Sequence, residues 1–237
     1  MSGRLYALGI GPGASDLVTV RAARLLGKLD VLFAPAGRKG GDSLALSIVR
    51  EYLGADTEIR CCHFPMSADS AEKQQAWDDV SAQMRQQVMA GKQVGFITLG
   101  DAMLFSTWVF LLARLGRPDW LEIVPGVTSF AAIAARSAMP LCMEQQSLAV
   151  ISCTSGPEAI ARALREHECV VLMKVYGRFA AVKAQLEAQG LLAHAVMMAE
   201  ATLPGEQCWR DLASLADDTA LPYFSTIVVN KSWSATA

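Results

Sequence analysis

The chain has 237 residues, of which 52% are hydrophobic and 19% charged, and its formal net charge is -2 at pH 7. A chain of this length can bury about 70% of its unfolded surface, so the composition excludes a disordered protein and predicts one large or two compact domains. The absence of a basic run argues against nucleic-acid binding. Without an apolar stretch as long as a membrane span or a signal-peptide core, we expect a soluble, cytoplasmic protein without membrane contact.

The first predicted strand, residues 4–10, leads into the turn G-I-G-P-G at residues 9–13. A helix over residues 17–29 follows, with Asp16 as its predicted cap. A dinucleotide-binding unit begins in a similar way, but its spacing is G-x-G-x-x-G, and Pro12 has no amide to donate to a phosphate. We therefore favour a tight turn that brings the backbone close to a ligand over a dinucleotide site.

The second predicted strand, residues 31–34, ends in the glycine-rich loop P-A-G-R-K-G-G-D-S at residues 35–43. This loop carries Arg38 and Lys39 but lacks the G-K-[ST] ending of a P-loop. Two interpretations remain open, a solvated loop or a pair of cations that bind a polyanionic substrate. The elements predicted next are a helix to residue 52 capped by Asp42 or Ser43, a strand at 58–62 and a polar surface helix over 66–90.

The chain is organised around the stretch V-G-F-I-T-L-G-D-A-M-L-F-S-T at residues 94–107. Its first six residues predict a buried parallel strand, Gly100 and Asp101 end that strand, and Ser106 and Thr107 start the next apolar helix. Ligands of open α/β sheets bind outside the carboxyl ends of the strands, and a carboxylate with amides and hydroxyls suits a small polar ligand. The alternative is an ordinary strand-to-helix turn, in which Gly and Asp are common.

The rest of the chain alternates strands and helices in two halves. The first half closes with a strand ending at Pro125 and an alanine-rich helix over 130–138, and residues 140–146 predict a linker. The last two strands of the second half follow each other without a helix, which predicts a mixed sheet with antiparallel members. The predicted fold is α/β with two α/β domains, a mostly parallel five-stranded sheet in residues 1–139 and a mixed sheet in residues 147–237.

The six cysteines predict structural thiols rather than a metal site. They form no C-x-x-C pair, and several stand in apolar runs where a free buried thiol is the usual state. Cys61, Cys62 and His63 are adjacent, but neighbouring residues of a strand point to opposite faces and make a poor chelate. We expect no protein metal site.

Several ordered motifs resemble one known family. They are G-I-G-P-G-A-S-D-L-V-T-V-R-A at 9–22, G-D-A at 100–102 followed by Ser106 and Thr107, and P-G-V-T-S at 125–129. Together they are similar to the tetrapyrrole methyltransferases that use S-adenosylmethionine, which have two α/β domains and a cleft between them. Ala102 stands where the wider family has proline. Within the family, P-A-G-R-K-G-G-D-S-L-A, G-D-A-M-L-F-S-T, M-K-V-Y-G-R-F and E-A-T-L-P-G-E resemble the branch that methylates precorrin-2 or cobalt-factor II in cobalamin synthesis.

The resemblance implies methyl transfer from S-adenosylmethionine to the meso carbon 20 of cobalt-factor II or precorrin-2, on the anaerobic route, by a homodimer. It implies Asp101 and Tyr176 as candidate catalytic residues, although Met173 and Tyr176 could also be plain core. Arg38, Lys39 and Lys174 are candidate substrate-binding residues because the substrate carries carboxylates around an apolar ring. By position match, the implied cofactor contacts are Pro12, Gly100, Asp101, Leu104, Ser106, Thr107, Thr128, Ser129, Met173, Tyr176, Ala199 and Thr226.

Three alternatives remain open. A non-catalytic tetrapyrrole carrier would bind the macrocycle without the cofactor. A nicotinamide oxidoreductase would need a ribose-binding acid after the second strand, where the chain has Phe33, Ala34 and Pro35 instead. A methyltransferase of the same family could act on another carbon of a corrin precursor or on uroporphyrinogen III.

Overall fold

The computed structural model describes residues 3–37, 41–65 and 70–235. The chain divides into two compact units, Met1–Thr128 and Ser129–Ala237, and the described residues of each unit form a five-stranded sheet with helices packed on it. Within the same described ranges, no helix is both long and apolar enough to span a bilayer.

The first unit contains a parallel sheet with the strand order β3-β2-β4-β1-β5. Its central strands are buried along almost their whole length, as expected for strands covered on both faces, and the predicted parallel sheet is confirmed. The strands are β1 (Arg4–Gly9), β2 (Val31–Ala36), β3 (Glu58–His63), β4 (Gln93–Thr98) and β5 (Leu121–Val124), and the helices are α1 (Val20–Leu26), α2 (Leu44–Val49), α3 (Ser70–Met89) and α4 (Trp108–Leu115).

The start of α1 differs from the sequence prediction. Residues Ser15–Leu17 form a separate 3-10 turn, and Val18 is extended after it, so Asp16 does not cap α1. The cap is Thr19, whose hydroxyl accepts a hydrogen bond from the Ala22 amide at 3.2 Å. The helix predicted over 17–29 was therefore wrong at its start, because two capping candidates lay within one turn of each other.

Apolar clusters cover both faces of the first sheet. One face carries Trp108, Phe33 and Phe96, all fully buried, together with residues of α3 and α4. The other face buries Leu8 and Leu26 with residues of α1 and α2. Burial of each such large side chain contributes about 1.5–3 kcal/mol relative to its exposure, so this double covering holds the strand ends in fixed positions.

The second unit contains a mixed sheet with the strand order β6-β7-β10-β8-β9. Strands β6 and β7 are parallel, while β10 runs antiparallel to both of its neighbours, so the predicted mixed sheet is confirmed. The strands are β6 (Leu148–Ser152), β7 (Cys169–Met173), β8 (Ala195–Ala199), β9 (Gln207–Trp209) and β10 (Ser225–Asn230), and the helices are α5 (Ser129–Ser137), α6 (Pro157–Glu166) and α7 (Phe179–Ala188).

Helix α5 belongs to the second unit. Its Ile133 and the following Met139 are buried in one cluster with Val171, Val196 and Val228 of the second sheet. The sequence prediction had assigned this helix to a first domain ending at residue 139. The apolar face of α5 is covered by the second sheet, and the compact units therefore divide before this helix rather than after it.

Candidate active site

Glycines join the ends of β1 and β4 in the first unit. Gly11 and Gly100 form an isolated antiparallel bridge, in which the Gly100 amide donates to the Gly11 oxygen at 2.7 Å and the Gly11 amide donates back at 3.2 Å. Both residues have positive φ, 81° and 65°, a conformation that favours glycine. The turn after β1 is thus fastened to the turn after β4.

The end of β5 approaches the same turns backbone to backbone. A Cβ added at Gly126 would lie 2.6 Å from the Gly9 carbonyl carbon, and one added at Gly9 would lie 2.6 Å from the Gly126 nitrogen. Real Cβ atoms do not approach backbone so closely, so a side chain at either position would force the strand ends apart. The glycine turn was predicted to bring the backbone close to a ligand. In the structure, the close contact is with the backbone of the neighbouring turns.

Asp101 connects the loop after β4 to the loop after β5. One carboxylate oxygen, Oδ2, accepts from the Gly126 amide at 2.9 Å, and the other, Oδ1, accepts from the Met103 amide at 2.8 Å. The residue is half-buried, and each oxygen keeps acceptor capacity beyond the bond it already makes. Asp101 is therefore both a loop connector and a charged acceptor at this edge.

Ser106 points into the first unit rather than out of it. Its hydroxyl accepts from the Trp108 amide at 3.0 Å and lies 3.0 Å from the Thr98 hydroxyl, and both hydroxyl residues are buried. Thr107 and Leu104 are half-buried beside it. Sequence reasoning did not select Thr98, although a polar residue at the end of an otherwise apolar run was the available signal.

The structure brings most first-unit candidates to one edge of the parallel sheet. Arg38 and Lys39 lie outside the described residues. Ser129 is the first residue of α5 and thus belongs to the second unit. The loops at the carboxyl ends of β1, β4 and β5 carry Pro12, Gly100, Asp101, Leu104, Ser106, Thr107 and Thr128.

Four candidates of the second unit also share one sheet edge. Met173 and Thr226 are register partners across β7 and β10, and Ala199 is opposite the neighbouring Ser225. The Val175 amide donates to the Ser225 oxygen at 3.2 Å, which holds the segment carrying Tyr176 at this edge. Tyr176 is 50% exposed and therefore not a core residue, whereas Met173 packs partly against the core of this unit.

Non-glycine residues with left-handed backbone follow two strands of the second sheet. Lys174 after β7 has φ 60°, and Glu200 after β8 has φ 50°. Such a conformation costs about 1–2 kcal/mol for a residue with a Cβ, so it persists only where surrounding contacts impose it. The Glu200 amide makes one such contact, since it donates to the Phe224 oxygen at 3.0 Å.

Two buried cysteines carry no reactive thiolate. Burial raises the pKa of Cys62 to about 12 and that of Cys153 to about 11, which keeps both thiols protonated near neutral pH. Cys61, Cys142 and Cys208 are exposed, and all six cysteines are free. Within residues 3–37, 41–65 and 70–235, no cluster of three or more His, Cys, Asp or Glu side chains could hold a metal ion.

Comparisons with known proteins identify the family. Residues 4–216 match the sequence model of the Tetrapyrrole (Corrin/Porphyrin) Methylases, and the chain belongs to this family. The cobalt-precorrin-2 C(20)-methyltransferase of Salmonella typhimurium is 71% identical to it over 233 residues, which are 98% of each chain. The precorrin-2 C(20)-methyltransferase of a Sinorhizobium species is 31% identical over 237 residues, covering 96% of this chain and 95% of the relative.

Solved structures show the same fold. A cobalt precorrin-4 methyltransferase superimposes with a TM-score of 0.73 at 24% identity, covering 96% of this chain and 94% of its own. A uroporphyrin-III C-methyltransferase from Thermus thermophilus, crystallised with S-adenosyl homocysteine, gives a TM-score of 0.68 at 23% identity and covers 97% and 99%. The predicted family and the predicted fold class are confirmed.

The protein is a methyltransferase, and its cofactor is S-adenosylmethionine. The residues at the first sheet edge fit this group. A Cβ added at Gly100 would meet nothing closer than the Val127 oxygen at 4.0 Å, so the turn leaves its backbone open. Asp101 adds a negatively charged acceptor, which suits a cofactor that carries a positively charged sulfur and an amino group.

Proposed function

We propose that the protein transfers a methyl group to the meso carbon 20 of cobalt-precorrin-2 (cobalt-factor II), or of metal-free precorrin-2, in anaerobic cobalamin biosynthesis. The observation that carries this proposal is the 71% identity to the Salmonella cobalt-precorrin-2 C(20)-methyltransferase over 98% of both chains. S-adenosylmethionine would supply a methyl group made electrophilic by its sulfonium sulfur. An electron pair of the macrocycle would form the new carbon–carbon bond as the methyl–sulfur bond breaks, so that S-adenosylhomocysteine leaves and the meso carbon then loses its proton. The protein then needs mainly to orient both reactants and to exclude water.

The proposed cofactor contacts lie in loops at the sheet edge of each unit. The twelve positions implied by the resemblance stay the proposed contacts, seven of them in the first unit and five in the second. Asp101 acts mainly as a positioning residue, because its carboxylate holds the Gly126 and Met103 amides and so fixes the open turn at Gly100. Tyr176 is the proposed residue closest to catalysis in the second unit, since its side chain is exposed at the edge.

Cations hold the carboxylates of the substrate in this proposal. The protein is slightly acidic overall, so the attraction has to be local. Arg38 and Lys39 remain proposed for this role from the sequence, and Lys174 is exposed at the end of β7. A guanidinium can grip a carboxylate with two parallel hydrogen bonds, while an ammonium adds a point charge.

Product analysis tests the proposed reaction. The protein is incubated with S-adenosylmethionine carrying a labelled methyl group and, separately, with cobalt-precorrin-2, precorrin-2 and uroporphyrinogen III. We expect a single added methyl by mass spectrometry, located at carbon 20 by NMR, with the first two substrates. Methylation at another carbon, or of uroporphyrinogen III alone, would contradict the proposal in favour of another member of the same family.

Calorimetry separates the enzyme from a tetrapyrrole carrier. We expect one S-adenosylhomocysteine site per chain and no binding of NADH. A folded protein that binds the macrocycle but gives no heat with S-adenosylhomocysteine would be a carrier.

A homodimer and a cytoplasmic location are further parts of the proposal. Helix α4 buries Trp108, Leu111 and Leu115 within its own unit, so its apolar residues support a dimer less than the sequence suggested. The exposed Phe110, stacked on Trp77 at 4.3 Å, remains available on its surface.

Free thiols such as those of this chain are usual in a reducing compartment. Light scattering at micromolar concentration and cell fractionation test the two statements, and a monomer or a membrane-bound fraction would contradict them.

A further inference from the structure

Three aromatic side chains of the second unit are exposed side by side. Tyr176, Tyr223 and Phe224 are 50%, 51% and 43% exposed. The ring centroids of the two tyrosines are 5.9 Å apart, and those of Tyr223 and Phe224 are 5.1 Å apart at an interplanar angle of 83°. Aromatic rings that contact one another and still face solvent usually mark a surface with a binding role, because their burial would be favourable.

This aromatic cluster lies at the functional edge of the second sheet. Tyr176 follows the carboxyl end of β7, and Tyr223 and Phe224 directly precede β10, which is paired with both β7 and β8. The cluster therefore shares its edge with the candidate residues Met173 and Thr226. Ligands of α/β sheets bind outside the carboxyl ends of the parallel strands, so the cluster occupies a position where a ligand is expected.

Backbone hydrogen bonds hold the cluster in place on both sides. The Phe224 oxygen accepts from the Glu200 amide at 3.0 Å, and the Ser225 oxygen accepts from the Val175 amide at 3.2 Å. The Ser225 hydroxyl also donates to the Pro222 oxygen at 2.6 Å. Rings carried on a backbone fixed in this way lose little conformational freedom when a ligand is bound, which favours affinity.

Cationic residues border the cluster. The Arg178 guanidinium donates to the backbone carbonyl oxygen of Tyr176 at 3.4 Å and is exposed. Lys174, two residues before Tyr176, is also exposed. Two carboxylates lie in the loop after β8: Glu200 is turned toward Gly205, and Glu206 accepts from the Thr202 amide and pairs with Arg136. An apolar, ring-lined surface bordered by cations is complementary to a flat apolar ring that carries carboxylates at its margin.

We propose that Tyr176, Tyr223 and Phe224 form a stacking surface for the tetrapyrrole macrocycle. This inference rests on the proposed function and adds Tyr223 and Phe224 to the substrate-binding residues. The rings bind the apolar face of the macrocycle, while neighbouring cations pair with its carboxylates. The cofactor makes no essential contact with Tyr223 or Phe224.

Binding of uroporphyrin III, a stable macrocycle with the same kind of carboxylate margin, tests the surface. Its affinity is measured by fluorescence titration for wild type, Tyr223→Ala, Tyr223→Phe and Phe224→Leu. The matched control is Trp233→Ala, since Trp233 is 42% exposed in the same unit but follows the opposite end of β10. Calorimetry with S-adenosylhomocysteine and light scattering accompany each titration.

We expect Tyr223→Ala to weaken uroporphyrin III binding about tenfold, within the range that ring stacking provides. Tyr223→Phe keeps the ring and should stay within about twofold of wild type, whereas Phe224→Leu, which keeps apolar volume without a ring, should weaken binding about threefold or more. Trp233→Ala and the affinity for S-adenosylhomocysteine should not change. Because Phe224→Leu and Tyr223→Phe are conservative, the test stands even if Tyr223→Ala fails to fold.

Three results would overturn the proposal. Unchanged uroporphyrin III affinity in Tyr223→Ala and Phe224→Leu would show that the rings do not bind the macrocycle. Equal losses of uroporphyrin III and S-adenosylhomocysteine would assign them to the cofactor, and a change of oligomeric state would assign them to a second copy of the chain. Failure of the proposed function is distinguishable, since it would appear as a misplaced methyl group in the wild-type product while the variants could still lose macrocycle affinity.

Discussion

The two sheet edges that carry the candidate residues are built in different ways. In the first unit, Gly11 and Gly100 occupy left-handed turns and Gly126 touches neighbouring backbone, so the edge is shaped mainly by main chain. In the second unit, the residues that follow β7 and β8 in left-handed conformation, Lys174 and Glu200, carry side chains, and exposed rings such as that of Tyr176 line the edge. Glycine is therefore required where the strand ends of the first edge touch, whereas the left-handed residues of the second edge carry a Cβ at a conformational cost.

The largest effect is expected where a Cβ would break the backbone contact of the first edge. Gly126→Ala places a methyl group against the Gly100 oxygen and within 2.6 Å of the Gly9 carbonyl carbon, so we expect a loss of about 3 kcal/mol in unfolding free energy or no folded protein. Urea unfolding measures the change. Gly37→Ala is the control, since its added Cβ would meet nothing within 4 Å and should cost under about 0.5 kcal/mol. Equal stabilities of the two variants would refute the close contact.

Removal of the carboxylate that joins two loops of the first edge should have the next largest effect. Asp101→Ala leaves the Gly126 and Met103 amides without their acceptor, and a hydrogen bond to a charged group contributes about 1.5–3 kcal/mol. We expect S-adenosylhomocysteine affinity or turnover to fall about tenfold or more, measured by calorimetry and initial rates. Asp56→Ala, in an exposed turn of the same unit, is the control. Wild-type affinity and rates in Asp101→Ala would mean that the carboxylate only forms a turn.

The second unit should gain stability where a glycine replaces a left-handed residue. Ala138 follows α5 with φ 51°, and the Met139 amide donates to the Ala134 oxygen at 3.0 Å, which is the geometry of a helix end that favours glycine. Ala138→Gly should raise the unfolding free energy by about 1 kcal/mol. Ala135→Gly, exposed inside the same helix, should lower it by about 1 kcal/mol. Thermal unfolding of both variants measures whether the two changes in unfolding free energy have opposite signs. Changes of the same sign would exclude backbone strain at Ala138.

The smallest effect concerns a side-chain link at the other end of the second sheet. The Ser147 hydroxyl and amide donate to Glu168 at 2.6 and 2.9 Å and lower the pKa of this carboxyl to about 2. Because the folded pKa lies below the ordinary value of 4.5, the stabilisation is present above pH 4.5 and is lost as the pH falls toward about 2. Glu168→Gln should therefore be less stable than wild type at about pH 6 and approach it at about pH 3, by urea unfolding. A constant difference between the two pH values would contradict the role of the charge.

Much of the fold followed from the apolar pattern of the sequence. The apolar helix predicted to start at Ser106 and Thr107 spans residues 108–115 in the structure, and the run from residue 94 to 99 forms β4 shifted by one residue. These elements were predictable because buried parallel strands have continuous apolar runs and amphipathic helices have their own period. The sheet that covers α5 was not predictable, because an apolar helix face does not specify which sheet will pack against it.

The candidate site was predictable only in part, for a similar reason. Glycine motifs marked the first edge, since close backbone contact leaves no other residue type. The bond between Asp101 and the Gly126 amide joins positions 25 residues apart, and no local pattern indicates it. Tyr223 and Phe224 stand in no recognised motif, and their association with Tyr176 appears only when β10 pairs with β7. Tertiary contacts of this kind require the folded chain.

The central place of β10 has a consequence for synthesis of the protein. This last strand lies between β7 and β8, and its residue Asn230 pairs with Cys169. A ribosome must therefore make the chain as far as residue 230 before the second sheet can close, while the first sheet can close once residue 124 has emerged. A nascent or prematurely terminated chain ending before Ser225 would carry β7 and β8 with open edges, which are templates for aggregation.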